Sequence, residues 1–311
     1  MRNSKSIPAL FLRVVTRVFK KNQPTYPPFL QVMRQYISKE ITENSLKEST
    51  IKKYEGFLQN IETFFKLRRL SGITAMEVKI KHMEDLKLYL HQNLSQCSLT
   101  HSARHLELCK RSLKYAVQAD LIPYNTLESM ETKRDPIKEV LCLEQVEFIK
   151  LVKYQFASEI MNTVKHLYIF QALTGLSYAD LWSYNVTTDK KGKNWLQGRR
   201  LKSGIEYHVP FHPIAEQIHN YYQGKLPEIT NAAYNRVLKE VAHLAGISKP
   251  LTTHTGRKTF ATLNYENGWS LEGLRIMMGQ SSIKTGEKHY VKPSRKRVEK
   301  EMEGLRPLQL A

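Results

Sequence analysis

Four short stretches carry side chains suited to chemistry on phosphate. Thr252-Thr253-His254-Thr255-Gly256-Arg257 sets a histidine and an arginine three apart at a helix start, a spacing that puts both on one face. Lys202 falls at a hairpin tip, where a cation can reach outward. Gly279-Gln280-Ser281-Ser282 follows a capped helix and supplies amide and hydroxyl donors. Tyr290 sits in Lys288-His289-Tyr290-Val291-Lys292, among basic residues that favour a phosphate nearby. Phosphate clamps, a proton donor, a base and an oxygen nucleophile make up the inventory for phosphoryl transfer without a metal. Each has a plainer reading. Tyr290 is one of 16 tyrosines, a residue type that mostly packs; His254 could cap a helix; Lys202 could be a solvated turn lysine. The order and spacing of the four, taken together, favour the chemical reading.

The elements that must position them change character along the chain. Residues 27–130 read as helices, with Ile51, Tyr54, Leu58, Ile61 and Phe65 forming an apolar stripe at spacings of three and four. Thr74 with Glu77 fits a capping box that would open a short helical piece. The polar, Pro-containing stretch 131–140 is the linker candidate. Beyond it, helical periodicity runs from Leu143 and again from Ile160 to Thr174, where Gly175 predicts a C-cap. Asn194 to Leu201 and Ile205 to Phe211 are β-type runs around Lys202-Ser203-Gly204, a hairpin signature. Helices are expected again at 214–222, 231–245 (with Asn231 as N-cap), 255–267 and 270–278. The fold class is mainly α with a small antiparallel sheet, in two domains.

The 311 residues include 48 Lys and Arg against 29 Asp and Glu, a net charge of +19. Such an excess predicts a polyanionic partner, most simply nucleic acid. Residues 1–135 hold 23 basic and 13 acidic residues and residues 136–311 hold 25 and 16, so both halves are expected to face it. Cys97, Cys109 and Cys142 match no zinc or redox spacing, and no apolar run approaches the roughly 20 residues that span a bilayer. Residues 1–25 are basic and carry no acidic residue; a transit peptide, a DNA-binding arm and a frayed terminus all fit, and the last two are favoured.

In these boxes the sequence resembles the tyrosine recombinases, or phage-integrase family, especially the integrases of conjugative transposons and related mobile elements. Leu173-Thr174-Gly175-Leu176-Ser177-Tyr178-Ala179-Asp180-Leu181 is similar to the family's Thr-Gly-Leu-Arg-x-x-Asp/Glu-Leu box. Arg200-Leu201-Lys202-Ser203 is similar to its β-hairpin lysine, His254-Thr255-Gly256-Arg257 to its His-x-x-Arg box, and Met278-Gly279-Gln280 with Tyr290 to its Leu-Gly-His box and tyrosine. Ala119-Asp120-Leu121-Ile122-Pro123-Tyr124-Asn125 resembles the end of the family's core-binding domain. The resemblance implies a helical (SAM-like) core-binding domain at 26–130, a linker at 131–140, an α+β catalytic domain at 141–293 and a tail at 294–311. It also implies a site-specific recombinase that cuts and rejoins duplex DNA through a 3′-phosphotyrosine, with neither cofactor, metal nor ATP. Tyr290 would be the nucleophile, Lys202 the general acid, His254 the general base and Arg257 the bidentate clamp on phosphate. The implied partners are duplex DNA and a homotetramer on synapsed sites that exchanges the tail, with an accessory directionality factor left open, no membrane, and a bacterial cytoplasm as the setting. The lack of the arm domain of larger integrases implies a simple recombinase or invertase.

Two positions depart from the pattern: Ser177 stands where the family has its first arginine, and Gln280 where it has a histidine. Removing a phosphate-clamping cation costs roughly a thousandfold or more in rate. Arg200, or Arg199 beside it, is the candidate replacement, and Asp180 is expected to buttress the pocket. A degenerate relative that binds DNA without cutting it, and a type IB topoisomerase, are the competing readings.

Overall fold

The computed structural model describes residues 25–136 and 139–284, and the chain divides into two compact units, 1–137 and 138–311. Tyr290, the tail 294–311 and all of the basic arm except Thr25 lie outside the described residues.

The first unit holds α1 (Phe29–Glu43), α2 (Glu48–Leu67), α3 (Ile80–Asn93) and α4 (Leu99–Gln118) around a core that includes Phe29, Met33, Ile61, Phe64, Phe65, Leu86 and Leu113. Thr74 and Glu77 do pair, the Glu77 carboxylate accepting from the Thr74 amide at 2.9 Å and its hydroxyl at 2.8 Å. The pairing closes a turn, however, and the next helix starts only at Ile80. Part of the stretch read as linker is fastened along α4. Arg134 Nη2 donates to both Glu107 oxygens at 2.7 and 2.9 Å, and the Asp135 carboxylate accepts from the amides of Leu99 and Thr100 at the start of α4.

The second unit contains α5 (Gln145–Lys153), α6 (Glu159–Thr174), β1 (Asn185–Thr188), β2 (Asn194–Arg199), β3 (Glu206–Pro210), α7 (Pro213–Tyr221), α8 (Asn231–Leu244), α9 (Thr253–Glu266) and α10 (Leu271–Met277). Helix α6 buries residues on every side, including Val164, Leu167, Tyr168, Phe170 and Ala172, because it runs through the core against α7, α8 and α9. It stops at Gly175, whose φ of +65° suits glycine. A Cβ there would lie 2.5 Å from Phe260 Cδ1, so close packing of α9 also demands glycine. The hairpin is part of a three-stranded antiparallel sheet in the order β1-β2-β3, with Leu196 opposite Val209, Gly198 opposite Tyr207 and Arg199 opposite Glu206. Strand β1 is exposed along its length and carries one strong apolar residue, Val186, so it left no strand signal in the sequence. Helix α8 is capped by Thr230, one residue before the expected Asn231; the Thr230 hydroxyl accepts from the Ala233 amide at 3.3 Å. Among the described residues no helix is long and apolar enough to cross a membrane.

Candidate active site

The site is assembled from element ends. Helix α9 begins at a reciprocal cap, in which Thr252 Oγ1 accepts from the Thr255 amide and Thr255 Oγ1 accepts from the Thr252 amide. The hydroxyls of Thr255 and Thr259 lie 3.3 and 3.4 Å from the Tyr168 hydroxyl, which ties the start of α9 to α6. One turn in, Arg257 is 7% exposed, and its guanidinium donates to the Gly175 carbonyl and, at 2.6 Å, to the Met278 carbonyl. Both carbonyls belong to helix C-termini, where backbone oxygens lack an intrahelical donor and carry partial negative charge.

Arg200 enters the same place from the hairpin and is 4% exposed. Its Nε donates to the Met278 carbonyl at 2.9 Å, its Nη2 to the Met277 carbonyl at 3.0 Å and its Nη1 to Asp180 Oδ2 at 3.2 Å. Arg200 and Arg257 therefore donate to one and the same carbonyl oxygen, that of Met278. Desolvation and the neighbouring Arg257 charge push the Arg200 pKa down to about 10, so it remains a cation at neutral pH. Asp180 is buried beneath them. Burial alone would raise its pKa, but hydrogen bonds from Ser177 Oγ (2.6 Å) and the Leu201 amide (2.9 Å), with the Arg200 charge, outweigh that and hold it low. Two buried guanidinium groups thus meet at the Met278 carbonyl, and Asp180 pairs with Arg200.

The other expected residues are placed as follows. Ser177 points to Asp180 Oδ2, the oxygen that also receives Arg200, so the serine leaves the carboxylate for the hairpin arginine to neutralise. Arg199 is exposed and pairs with Glu206 across the strands, on the other side of β2 from Arg200. Lys202 is exposed in the turn after β2, and His254 is exposed on the first turn of α9. Gln280 is buried; its Nε2 lies 3.7 Å from Met278 Sδ, while its Oε1 has no hydrogen-bond partner among the described residues. One end of that amide is therefore left for a further group, which is uncommon for a buried polar atom. Among the described residues no cluster of three or more His, Cys, Asp or Glu could hold a metal ion.

Sequence reasoning missed Tyr207, whose ring lies under Arg200 with the guanidinium carbon 4.1 Å from its centroid. It also missed the Met277 and Met278 carbonyls. A signal for Tyr207 existed: strand alternation puts Tyr207 and Val209 on the inward side of β3, and Leu196, Gly198 and Arg200 share one parity along β2.

Comparison with known proteins gives a consistent picture. The phage integrase SAM-like domain profile matches residues 28–134, and the phage integrase family profile matches residues 187–297. Tyrosine recombinase XerC of Rickettsia peacockii is 25% identical over 291 residues, covering 87% of this chain and 84% of its own. The Tn1549 transposon integrase in complex with transposon right end DNA has a similar fold, with a TM-score of 0.65 at 15% identity over 89% of this chain and 99% of that one. A lambda integrase tetramer bound to a Holliday junction gives a TM-score of 0.63 at 14% identity, over 90% of this chain and 79% of that one. With both of its domains matched in order, the chain belongs to the phage integrase family, the tyrosine recombinases.

Proposed function

We propose that the protein is a site-specific recombinase that cuts and rejoins duplex DNA through a 3′-phosphotyrosine on Tyr290. The observation that carries this reading is the pair of buried guanidinium groups, Arg257 and Arg200, converging on the Met278 carbonyl, with Arg200 also paired to Asp180. Two desolvated guanidinium groups at one place suit an anion, and a scissile phosphodiester is such an anion. As the nucleophile's oxygen attacks, charge grows on the non-bridging oxygens, and fixed cations in a desolvated site stabilise that growth. Arg257 is the principal clamp; Arg200 takes the place of the family arginine that Ser177 lacks. Gln280 offers the unpaired end of its amide to a phosphate oxygen; swapping the amide's O and N positions turns that end into a donor. Lys202, from the hairpin turn, protonates the departing 5′-oxygen, and His254 takes the tyrosine proton. The phosphotyrosine conserves the energy of the broken bond, so rejoining needs no nucleotide hydrolysis. Recombination of this kind takes two sites and four protomers, and the tetrameric lambda integrase of similar fold supports that assembly.

The decisive experiment uses a nicked suicide duplex built on the sequence the protein selects from a randomised duplex pool. The wild type is expected to accumulate a covalent protein–DNA adduct and Tyr290→Phe to form none. No adduct from the wild type, or equal adduct from Tyr290→Phe, rejects the mechanism and leaves a DNA-binding protein.

A further inference from the structure

Resting on the reading of Arg200 as the second phosphate clamp, we propose that Tyr207 and Gly279 are positioning residues that seat it. An arginine one residue past the end of a strand ordinarily extends into water, as Arg199 does when it pairs with Glu206 at the surface. Arg200 instead is buried, and two features of its surroundings account for the difference.

The first is the Tyr207 ring. It is fully buried and lies 4.1 Å from the guanidinium carbon, so a cation stacks on an aromatic face away from water, where that attraction is strongest. Room for the ring is made across the strands. Gly198 stands opposite Tyr207, and a Cβ at 198 would come within 2.7 Å of the Tyr207 hydroxyl. The second feature is Gly279. Its φ is +54°, and a Cβ there would lie 2.8 Å from Arg200 Cγ and 2.9 Å from Nε. The backbone can therefore pass close enough for the Met277 and Met278 carbonyls to receive Arg200 only because position 279 has no side chain. Tyr207 contributes the face and Gly279 the clearance; the three acceptors then fix the rotation of the guanidinium.

Positions 177 and 200 also converge. Ser177 Oγ and Arg200 Nη1 donate to the same oxygen of Asp180. A cation introduced at 177 meets the same carboxylate, so it can stand in for an Arg200 that has lost its seat. This exchange separates positioning from mere support of the fold.

The test measures the single-turnover rate of adduct formation on the suicide duplex described above, alongside the dissociation constant for the un-nicked duplex. Arg200→Ala is expected to slow adduct formation by about a hundredfold or more, the scale of losing one charge-stabilising donor. Tyr207→Phe keeps the ring and stays within about threefold of wild type, whereas Tyr207→Leu falls by at least about tenfold with DNA affinity unchanged. Gly279→Ala falls in the same way. Adding Ser177→Arg to Tyr207→Leu, or to Arg200→Ala, restores most of the rate. A tyrosine that only fills the core would not be rescued by a charge at 177. The inference is overturned if Tyr207→Leu cleaves at the wild-type rate, or if Ser177→Arg rescues Arg200→Ala but leaves Tyr207→Leu slow. If the wild type forms no adduct at all, or Arg200→Ala cleaves as fast as the wild type, the recombinase or the clamp reading fails and takes this one with it; cleavage by the wild type together with loss in Arg200→Ala confines any failure to Tyr207 and Gly279.

Discussion

Adjacent residues can have opposite fates, and Arg199 and Arg200 show why. Along β2 the side chains alternate, so Arg200 follows Leu196 and Gly198 inward while Arg199 faces the solvent and Glu206. An exposed ion pair of that kind contributes at most about 1 kcal/mol. Arg199→Ala should therefore leave adduct formation within about threefold of wild type and barely move the melting temperature, in contrast to Arg200→Ala. Gly175 is a second position where one atom decides the outcome. Its φ of +65° and the 2.5 Å approach of Phe260 Cδ1 to a built Cβ both oppose any side chain. Gly175→Ala should cost about 2–4 kcal/mol, combining left-handed strain with overpacking. Because the Gly175 carbonyl holds Arg257, adduct formation should fall further than the stability loss alone explains. Chemical denaturation of the variant, read beside its cleavage rate, checks both halves.

At the scale of elements, local signals were legible and register-dependent ones were not. Capping chemistry is written in neighbouring residues, so the stop of α6 at Gly175 and the start of α9 near His254 could be read directly. The hairpin was legible because its strands alternate around a glycine turn. The partner of Arg200 was not, because Tyr207 reaches it only through the β2–β3 register, and the Met277 and Met278 carbonyls are backbone atoms that no residue type announces. Strand β1 carried too little apolar character to be seen, and Thr74 with Glu77 formed its local pair without a helix to follow. Helix α4 hides a further element-level property. His105 packs against Phe57 and Asn60 of α2, with ring centroids 4.4 Å apart and 3.2 Å between His105 Nε2 and Asn60 Nδ2. Burial pushes its pKa down to about 4; the His101 carbonyl opposes the shift and the His101 ring adds to it. The folded unit keeps His105 neutral, while the unfolded chain takes up a proton below its ordinary value of about 6.5. Stability is therefore full above about pH 6.5 and is lost as the pH falls from there towards 4. At pH 5 the loss amounts to at most about 2 kcal/mol. His105→Gln should flatten the fall in melting temperature between pH 7 and pH 5, and an unchanged slope would locate the acid sensitivity elsewhere. Asp135, held down to about 2 chiefly by its backbone hydrogen bond from Thr100, acts in a separate window below about pH 4.

For the whole molecule, the +19 charge and the two-arginine pocket make separable contributions. The charge is spread almost evenly over residues 1–135 and 136–311, and each unit has its own apolar core. Binding of duplex DNA by such a chain is driven by release of condensed counterions, one for nearly every phosphate neutralised. With 6–10 phosphates engaged, affinity should fall by roughly 10³–10⁵ between 50 and 200 mM salt. The slope of log affinity against log salt counts all the contacted phosphates, whereas in the proposed mechanism the pocket meets one of them. Tyr290→Phe, which changes no charge, should keep the wild-type slope while forming no adduct; Arg257→Ala should change the slope by no more than about one unit while abolishing cleavage. Titrations of fluorescent duplex at four salt concentrations, run beside the adduct assay, measure both quantities on the same preparations. A slope that collapsed with Arg257→Ala would mean that binding energy is concentrated in the pocket. An unchanged slope with lost cleavage would show the distributed charge holding the DNA while a few buried groups act on a single phosphate.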